Sequence, residues 1–277
     1  MHIELVVFDM AGTTVAEDHS VAFHLRETLR AADVAVTNQD VDGVRGLAKP
    51  DAIRRLLQRC RDSSSAWSPR EVETLHAAFV RRMVAHYQCD PGVREVQGAS
   101  HAFRRLHQMG ISVALDTGFT RAVADVVIER LGWAACDLID ASVASDEVTC
   151  GRPAADMITR AMRLTGARDP SCVVKVGDTP ADLYEGFAAG CALVVAVANG
   201  AHSDAELRLH PCTHVVPTVA LVPELIRRVE SNPHAMSPTL HAVARGSTHD
   251  DGRVASWNRV LGSHWSPPRL RARSISR

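Results

Sequence analysis

Three aspartates, a threonine–glycine pair, one arginine and one lysine are the residues of this 277-residue chain whose types and spacing could do chemistry. Asp9 follows a short apolar run, Ile3-Glu-Leu-Val-Val-Phe8, and leads directly into Gly12, Thr13 and Thr14. Thr117-Gly118 follows a second apolar run, Arg152 lies in the loop after a third, and Asp178 with Asp182 follows a fourth. Buried parallel strands need such apolar runs, and a parallel sheet gathers the C-terminal ends of its strands along one edge, where α/β proteins place their chemistry. Residues far apart in sequence can therefore share one site. Thr117, the neighbouring amides and the forked guanidinium of Arg152 can hold an oxyanion. The plainer reading of Asp178-Thr-Pro-x-Asp182 is an ordinary helix N-terminus, where aspartates are favoured anyway.

The lysine stands out by composition. Of 31 basic residues only Lys49 and Lys175 are lysines; the rest are arginines. On a solvated surface the two exchange freely, but an arginine cannot form a Schiff base. Lys49-Pro50-Asp51 can also open a helix, with Pro50 in its first turn and the lysine merely solvated.

These residues need elements to position them. Strands are expected at 3–8, 111–115, 138–143, 172–176, 192–197 and 214–216. From Ser20 to Tyr87 apolar residues recur at helical spacing, as in Val21-x-x-x-Leu25-x-x-x-Leu29 and Val72-x-x-Leu75-x-x-x-Phe79. Breaks are expected at 33–42 and 62–69, with Ser68-Pro69 starting a helix. Beyond Asp90-Pro-Gly92, helices at 101–109, 121–131, 155–164, 181–189 and 222–229 alternate with the strands. This βαβ rhythm predicts an α/β fold, a Rossmann-like doubly wound parallel sheet with an inserted helical cap domain. The expected division is a core of 1–15 and 92–229, a cap of 16–91, and an arginine-rich tail of 230–277 read as disordered.

Composition sets the outer limits. With 46% hydrophobic residues the chain can bury a large core plus a small accessory domain. A net charge of -1 implies neither a nucleic-acid nor a membrane partner. Seven scattered cysteines without CxxC spacing suit a reducing compartment rather than a disulfide framework or zinc site. No apolar run reaches about 18 residues, and the N-terminus runs straight into the first strand, so a cytoplasmic location is expected.

In order, Asp9, Thr117-Gly118, Arg152 and Asp178/Asp182 resemble motifs I to IV of the haloacid dehalogenase (HAD) superfamily, over about residues 1–200. The resemblance implies that Asp9 is a nucleophile, with Gly12, Thr13 and Gly118 beside the substrate. It implies Mg²⁺ on Asp9, Asp178 and the carbonyl of Ala11, with Asp182 holding a metal-bound water; a hard cation suits this oxygen-only set. Most phosphatases of the superfamily carry a general acid where this chain has Ala11, so its leaving group is expected to differ from an alkoxide.

Asp9-x-Ala-Gly-Thr-Thr14, Gly46-Leu-Ala-Lys49, Thr117-Gly118-x-Thr120, Gly151-Arg-Pro-Ala154 and Val174-Lys-Val-Gly-Asp-Thr179 together resemble phosphonoacetaldehyde hydrolase (phosphonatase) and its relatives. That family condenses its aldehyde substrate with a cap lysine, here Lys49, before the carbon–phosphorus bond breaks. The resemblance also includes a lysine at 175, expected to be structural. Ala52 and Phe119 replace a histidine and a tyrosine of the family, and Arg45 replaces a methionine. Glu17, His19 and His24 are the nearby residues that could handle the imine proton instead. The expected partner is a small phosphonate or phosphate, and phosphonatase-type caps suggest a homodimer. Two other readings stay open, a phosphoglycolate phosphatase-like monoesterase and a non-catalytic binding domain.

Overall fold

The computed structural model describes residues 2–17, 19–59, 67–200 and 202–232. Its strands are β1 (Leu5–Asp9), β2 (Ser112–Thr117), β3 (Ala141–Ala144), β4 (Val173–Gly177), β5 (Leu193–Val197) and β6 (His214–Val216). They form one sheet in the order β3-β2-β1-β4-β5-β6, with every pairing parallel. The chain steps outward from β1 through β2 to β3, then returns to the other side of β1 as β4. A crevice opens at such a reversal, outside the carboxyl ends of the two central strands. Asp9 ends one of these strands, and Asp178 immediately follows the other.

The helices are α1 (Ser20–Arg30), α2 (Asn38–Asp42), α3 (Lys49–Arg59), α4 (Pro69–Cys89), α5 (Ala99–Gln108), α6 (Arg121–Arg130), α7 (Asp156–Thr165), α8 (Pro180–Ala189), α9 (Asp204–Leu207) and α10 (Val222–Ser231). The first four lie between β1 and the approach to β2. The chain leaves for them and returns side by side: Ala16 N–H bonds Arg94 O at 3.0 Å, and Val96 N–H bonds Thr14 O at 2.8 Å.

Strand alternation sorts the core. Val6, Phe8, Val113, Leu115, Val174 and Val176 face one apolar cluster, which continues without a break into Leu25, Leu56, Phe79 and Met83 of the inserted helices. Leu5, Val7, Ala114 and Val173 face a second cluster, covered by Met157, Ile158 and Ala161 of α7. Both faces are apolar because helices cover both. Register pairs Lys175 with Val7 and Asp116 with Asp9. The period of two therefore puts Lys175, Asp9 and Asp116 on the second face together.

Local differences from expectation have local causes. The third strand starts at Ala141 rather than 138, because Asp140 uses its carboxylate to accept the Val113 N–H at 2.7 Å. Within the expected break at 33–42, Thr37 and Asp40 form a reciprocal capping box that starts α2. Ser68 and Glu71 cap α4 in the same way, where Ser68-Pro69 predicts a helix start. At the far end α10 runs to Ser231, and Glu230 accepts the Ile3 N–H at 2.8 Å. Residues 230 and 231 thus belong to the fold, and the tail expected beyond them lies, from 233 onward, outside the described residues. Among the described residues no helix is long and apolar enough to cross a membrane.

Candidate active site

Asp9 is buried at the end of β1, and the turn after it organises one side of the site. Thr14 Oγ1 donates to the Asp9 carbonyl at 2.8 Å, and Gly12 N–H closes the turn on Val15 O at 2.9 Å. Thr13, expected beside the substrate, donates its hydroxyl to Asp178 Oδ1 at 2.9 Å and so orients that carboxylate. Ala11 sits between them and pairs with Val15. Thr117 accepts the Phe119 N–H at 3.2 Å, which leaves its own proton for an acceptor in the crevice. Asp182 is in the first turn of α8, where Thr179 Oγ1 donates to its Oδ2 at 2.6 Å.

A charge network underlies these groups. Arg152 Nη1 donates to Asp9 Oδ1 at 2.6 Å, its Nε to Glu185 Oε2 at 3.0 Å, and its Nη2 to both the carbonyl and carboxylate of Asp116. Lys175 Nζ bonds Asp116 and lies 3.1 Å from both Asp182 Oδ1 and Glu185 Oε2. Burial pushes Asp9 up to about 6, with Arg152 pulling the other way. Against the cost of burial, Asp116, Asp182, Asp9 and Glu185 hold Arg152 well above its ordinary value. Lys175 is also raised: burial and Arg152 push it down, but Asp116, Glu185 and Asp182 win. Burial and the neighbouring Asp116 carboxylate push Glu185 up to about 8.

Lys49 reaches the same crevice from the inserted helices. It is the first residue of α3, as the plainer reading allows, yet only 7% of its surface is exposed. The loop before it is pressed against the sheet's edge. A Cβ on Gly118 would stand 2.6 Å from Leu47 O, and one on Gly46 (φ +76°) would stand 2.3 Å from Thr179 Oγ1. Side chains at either position would hold Lys49 away. Its Nζ donates to Leu47 O at 3.2 Å and lies 5.2 Å from the centre of the Phe119 ring. Phe119 in turn packs edge-on against Tyr87 at 5.9 Å. Burial pulls the Lys49 amine down to about 8; Asp9 and Glu17 act to raise it, Arg152 to lower it.

The other proposed proton handlers divide. Glu17 lies close enough to act on Lys49, and its Oε2 is buried without a hydrogen-bond partner. His24 instead faces His86 at 5.1 Å, and with His19 it lines a different cleft between α1 and α4.

The donors fit a divalent cation. Carboxylate oxygens of Asp9, Asp178 and Asp182 all lie within 4.8 Å of one another. The buried acids Asp9, Asp116, Asp178, Asp182 and Glu185 outnumber the buried cations Arg152, Lys175 and Lys49, an imbalance that a hard divalent ion would offset. A second acidic triplet, Asp116, Asp182 and Glu185, is already occupied by the two side-chain cations.

A haloacid dehalogenase-like hydrolase family model matches residues 3–190. The chain belongs to the haloacid dehalogenase-like hydrolases. Among curated relatives, phosphonoacetaldehyde hydrolase of Bacteroides fragilis is 30% identical over 66% of this chain and 72% of its own length. The enzyme of that name from Latilactobacillus sakei is 28% identical over 68% and 73%. Two solved structures share the fold. A phosphonoacetaldehyde hydrolase-like protein from Oleispira antarctica has a TM-score of 0.68 at 19% identity, over 83% of this chain and 94% of that one. A putative phosphoglycolate phosphatase from Lactobacillus delbrueckii gives 0.67 at 20% identity, over 82% and 99%.

Two residues at the centre of this HAD hydrolase's network carry no expected role in the sequence reading: Asp116 and Glu185. Each had a signal. A lysine inside the apolar run Val173-Val-Lys-Val176 needs a carboxylate on its own face of the sheet, and Asp116 is there by register. Glu185 sits three residues after Asp182, on the same side of α8.

Proposed function

We propose that this hydrolase cleaves the carbon–phosphorus bond of phosphonoacetaldehyde or a closely related phosphonate, with residues 16–91 as its cap. Lys49 carries the reading. A buried amine with its pKa drawn to about 8 stands beside the crevice that holds Asp9. At pH 7.5 roughly a quarter of such amines are neutral, against about one in a thousand at an ordinary lysine value. The relatives named phosphonoacetaldehyde hydrolase support the same substrate class.

Neutral Lys49 Nζ adds to the substrate aldehyde, and loss of water gives a protonated imine. An Asp9 oxygen then attacks phosphorus while the carbon–phosphorus pair moves into the imine, so an enamine leaves. No leaving oxygen needs a proton, which accounts for Ala11. Protonation of the enamine carbon and hydrolysis of the resulting imine release acetaldehyde and free Lys49. Water cleaves the aspartyl-phosphate to phosphate. Arg152 and the Thr117 hydroxyl hold phosphoryl oxygens. Asp9, Asp178, Asp182 and the Ala11 carbonyl would hold Mg²⁺, whose charge lets an anionic nucleophile meet an anionic group.

One observation favours a phosphate monoester instead. Ala52 is buried in the core where the phosphonatase family has a histidine, so that proton handler is missing. The deciding assay is Mg²⁺-dependent release of acetaldehyde and phosphate from phosphonoacetaldehyde, beside Lys49→Arg and with borohydride trapping. Turnover lost in the variant, with an adduct mapped to Lys49, supports the proposal. No release and no adduct, with an activated phosphoester hydrolysed equally by both proteins, sinks it.

A further inference from the structure

Arg152 turns Nη1 toward the crevice, where it meets Asp9 and lies 3.1 Å from Asp182 Oδ1, while its Nε and Nη2 are held by Glu185 and Asp116. Its Nε ends on Glu185 Oε2, which also lies 3.1 Å from Lys175 Nζ. The other Glu185 oxygen, Oε1, is buried and lacks a donor, as is Asp116 Oδ2. The two carboxyl groups are neighbours, with oxygens within 4.8 Å of each other, and one proton shared between them would satisfy both orphaned oxygens. Glu185 thus grips Arg152 and Lys175 with one oxygen and leaves the other for Asp116, while Asp116 takes the Nη2 of Arg152 from the far side.

We infer that Glu185 is a positioning residue that acts through Arg152, setting where the guanidinium meets Asp9 and an incoming phosphoryl group. It touches neither Asp9 nor the crevice; its effect reaches both through the direction of one planar fork. A guanidinium recognises a phosphoryl group by geometry as well as charge, so a small rotation is costly. The inference rests on Arg152 binding the phosphoryl group, but not on Lys49 chemistry.

Glutamine at 185 can reproduce both functions: its carbonyl accepts from Arg152 and Lys175, and its amide donates to Asp116. Leucine reproduces neither. Aspartate keeps a carboxyl but is one methylene too short to reach both partners. The experiment is calorimetric titration of inorganic phosphate into the full chain with saturating Mg²⁺, with melting curves run on each variant. Glu185→Leu and Glu185→Asp should weaken phosphate binding by about 10- to 100-fold, the scale seen when a group orienting a binding side chain is removed. Glu185→Gln should stay within about threefold of the unsubstituted protein, well below that scale. If the leucine variant does not fold, aspartate and glutamine still decide. Folded aspartate or leucine variants that bind phosphate normally would overturn the inference, as would a glutamine variant as weak as leucine. Absence of Mg²⁺-dependent phosphate binding in the unsubstituted protein would overturn the premise that Arg152 binds the phosphoryl group, and this inference with it. Normal phosphate binding without carbon–phosphorus cleavage would leave this inference standing and remove only the Schiff-base reading.

Discussion

The chain's two lysines are both buried, and the structure treats them in opposite ways. Lys175 is enclosed in the sheet among Asp116, Asp182 and Glu185, which keep its proton on. Lys49 lies at the seam between the inserted helices and the sheet, held by one carbonyl and the face of an aromatic ring. Burial without a paired carboxylate costs the ammonium form; burial among paired acids protects it. In the proposed reaction one amine is thereby prepared to react, while the other holds charges in place. The difference lies in their neighbours, since side chain and depth are alike.

The largest expected effect separates them by activity. Lys49→Arg should lower kcat/KM for phosphonoacetaldehyde by roughly 1,000-fold or more, about 4 kcal/mol of transition-state stabilisation. Hydrolysis of an activated phosphoester should persist in the same variant, and steady-state assays on both substrates check the contrast.

Stability should separate them in the reverse direction. Lys175→Met leaves buried carboxylates without their amine and should cost about 3–5 kcal/mol. Melting should fall by on the order of 10 °C. Lys49→Met removes a poorly solvated amine and should leave the melting temperature unchanged or raised. Equal losses in the two variants would erase the distinction.

A smaller effect tests the amine directly. The rate of borohydride-trapped adduct formation at Lys49 should rise roughly fivefold from pH 7 to 8 and level off above 9, following its neutral fraction. A rate still climbing nearly tenfold between pH 8 and 9 would mean an ordinary lysine. Phe119→Leu gives the least change. Loss of the ring face removes about 0.5–1 kcal/mol of support for the charged form. The midpoint of that profile should then move down by roughly half a unit.

Sequence patterns reach these regions unequally. Asp9, Thr117, Arg152, Asp178 and Asp182 are legible because each follows an apolar run, and parallel strands converge at their ends. The strands themselves read within a few residues, and the shifts trace to side chains replacing backbone partners, as Asp140 does beside β3. The burial of Lys49 is not legible. Lys-Pro-Asp opens a helix in either case, and only the contact of Leu47 with Gly118, elements some 70 residues apart, encloses the amine. Glu185 escapes because an acid on an amphipathic helix normally faces water. Its true orientation follows from Lys175 and Arg152, which lie on other elements.

The close approach of Gly46 and Leu47 to the sheet makes the loop carrying the amine also the seal over it. Any parting of that seam, pivoting where Ala16 and Arg94 run side by side, would admit water to Lys49 and return its proton. The nucleophile would then exist only while the chamber is shut. An open molecule would present stray aldehydes with an inert ammonium, and closure over a substrate would switch the reagent on.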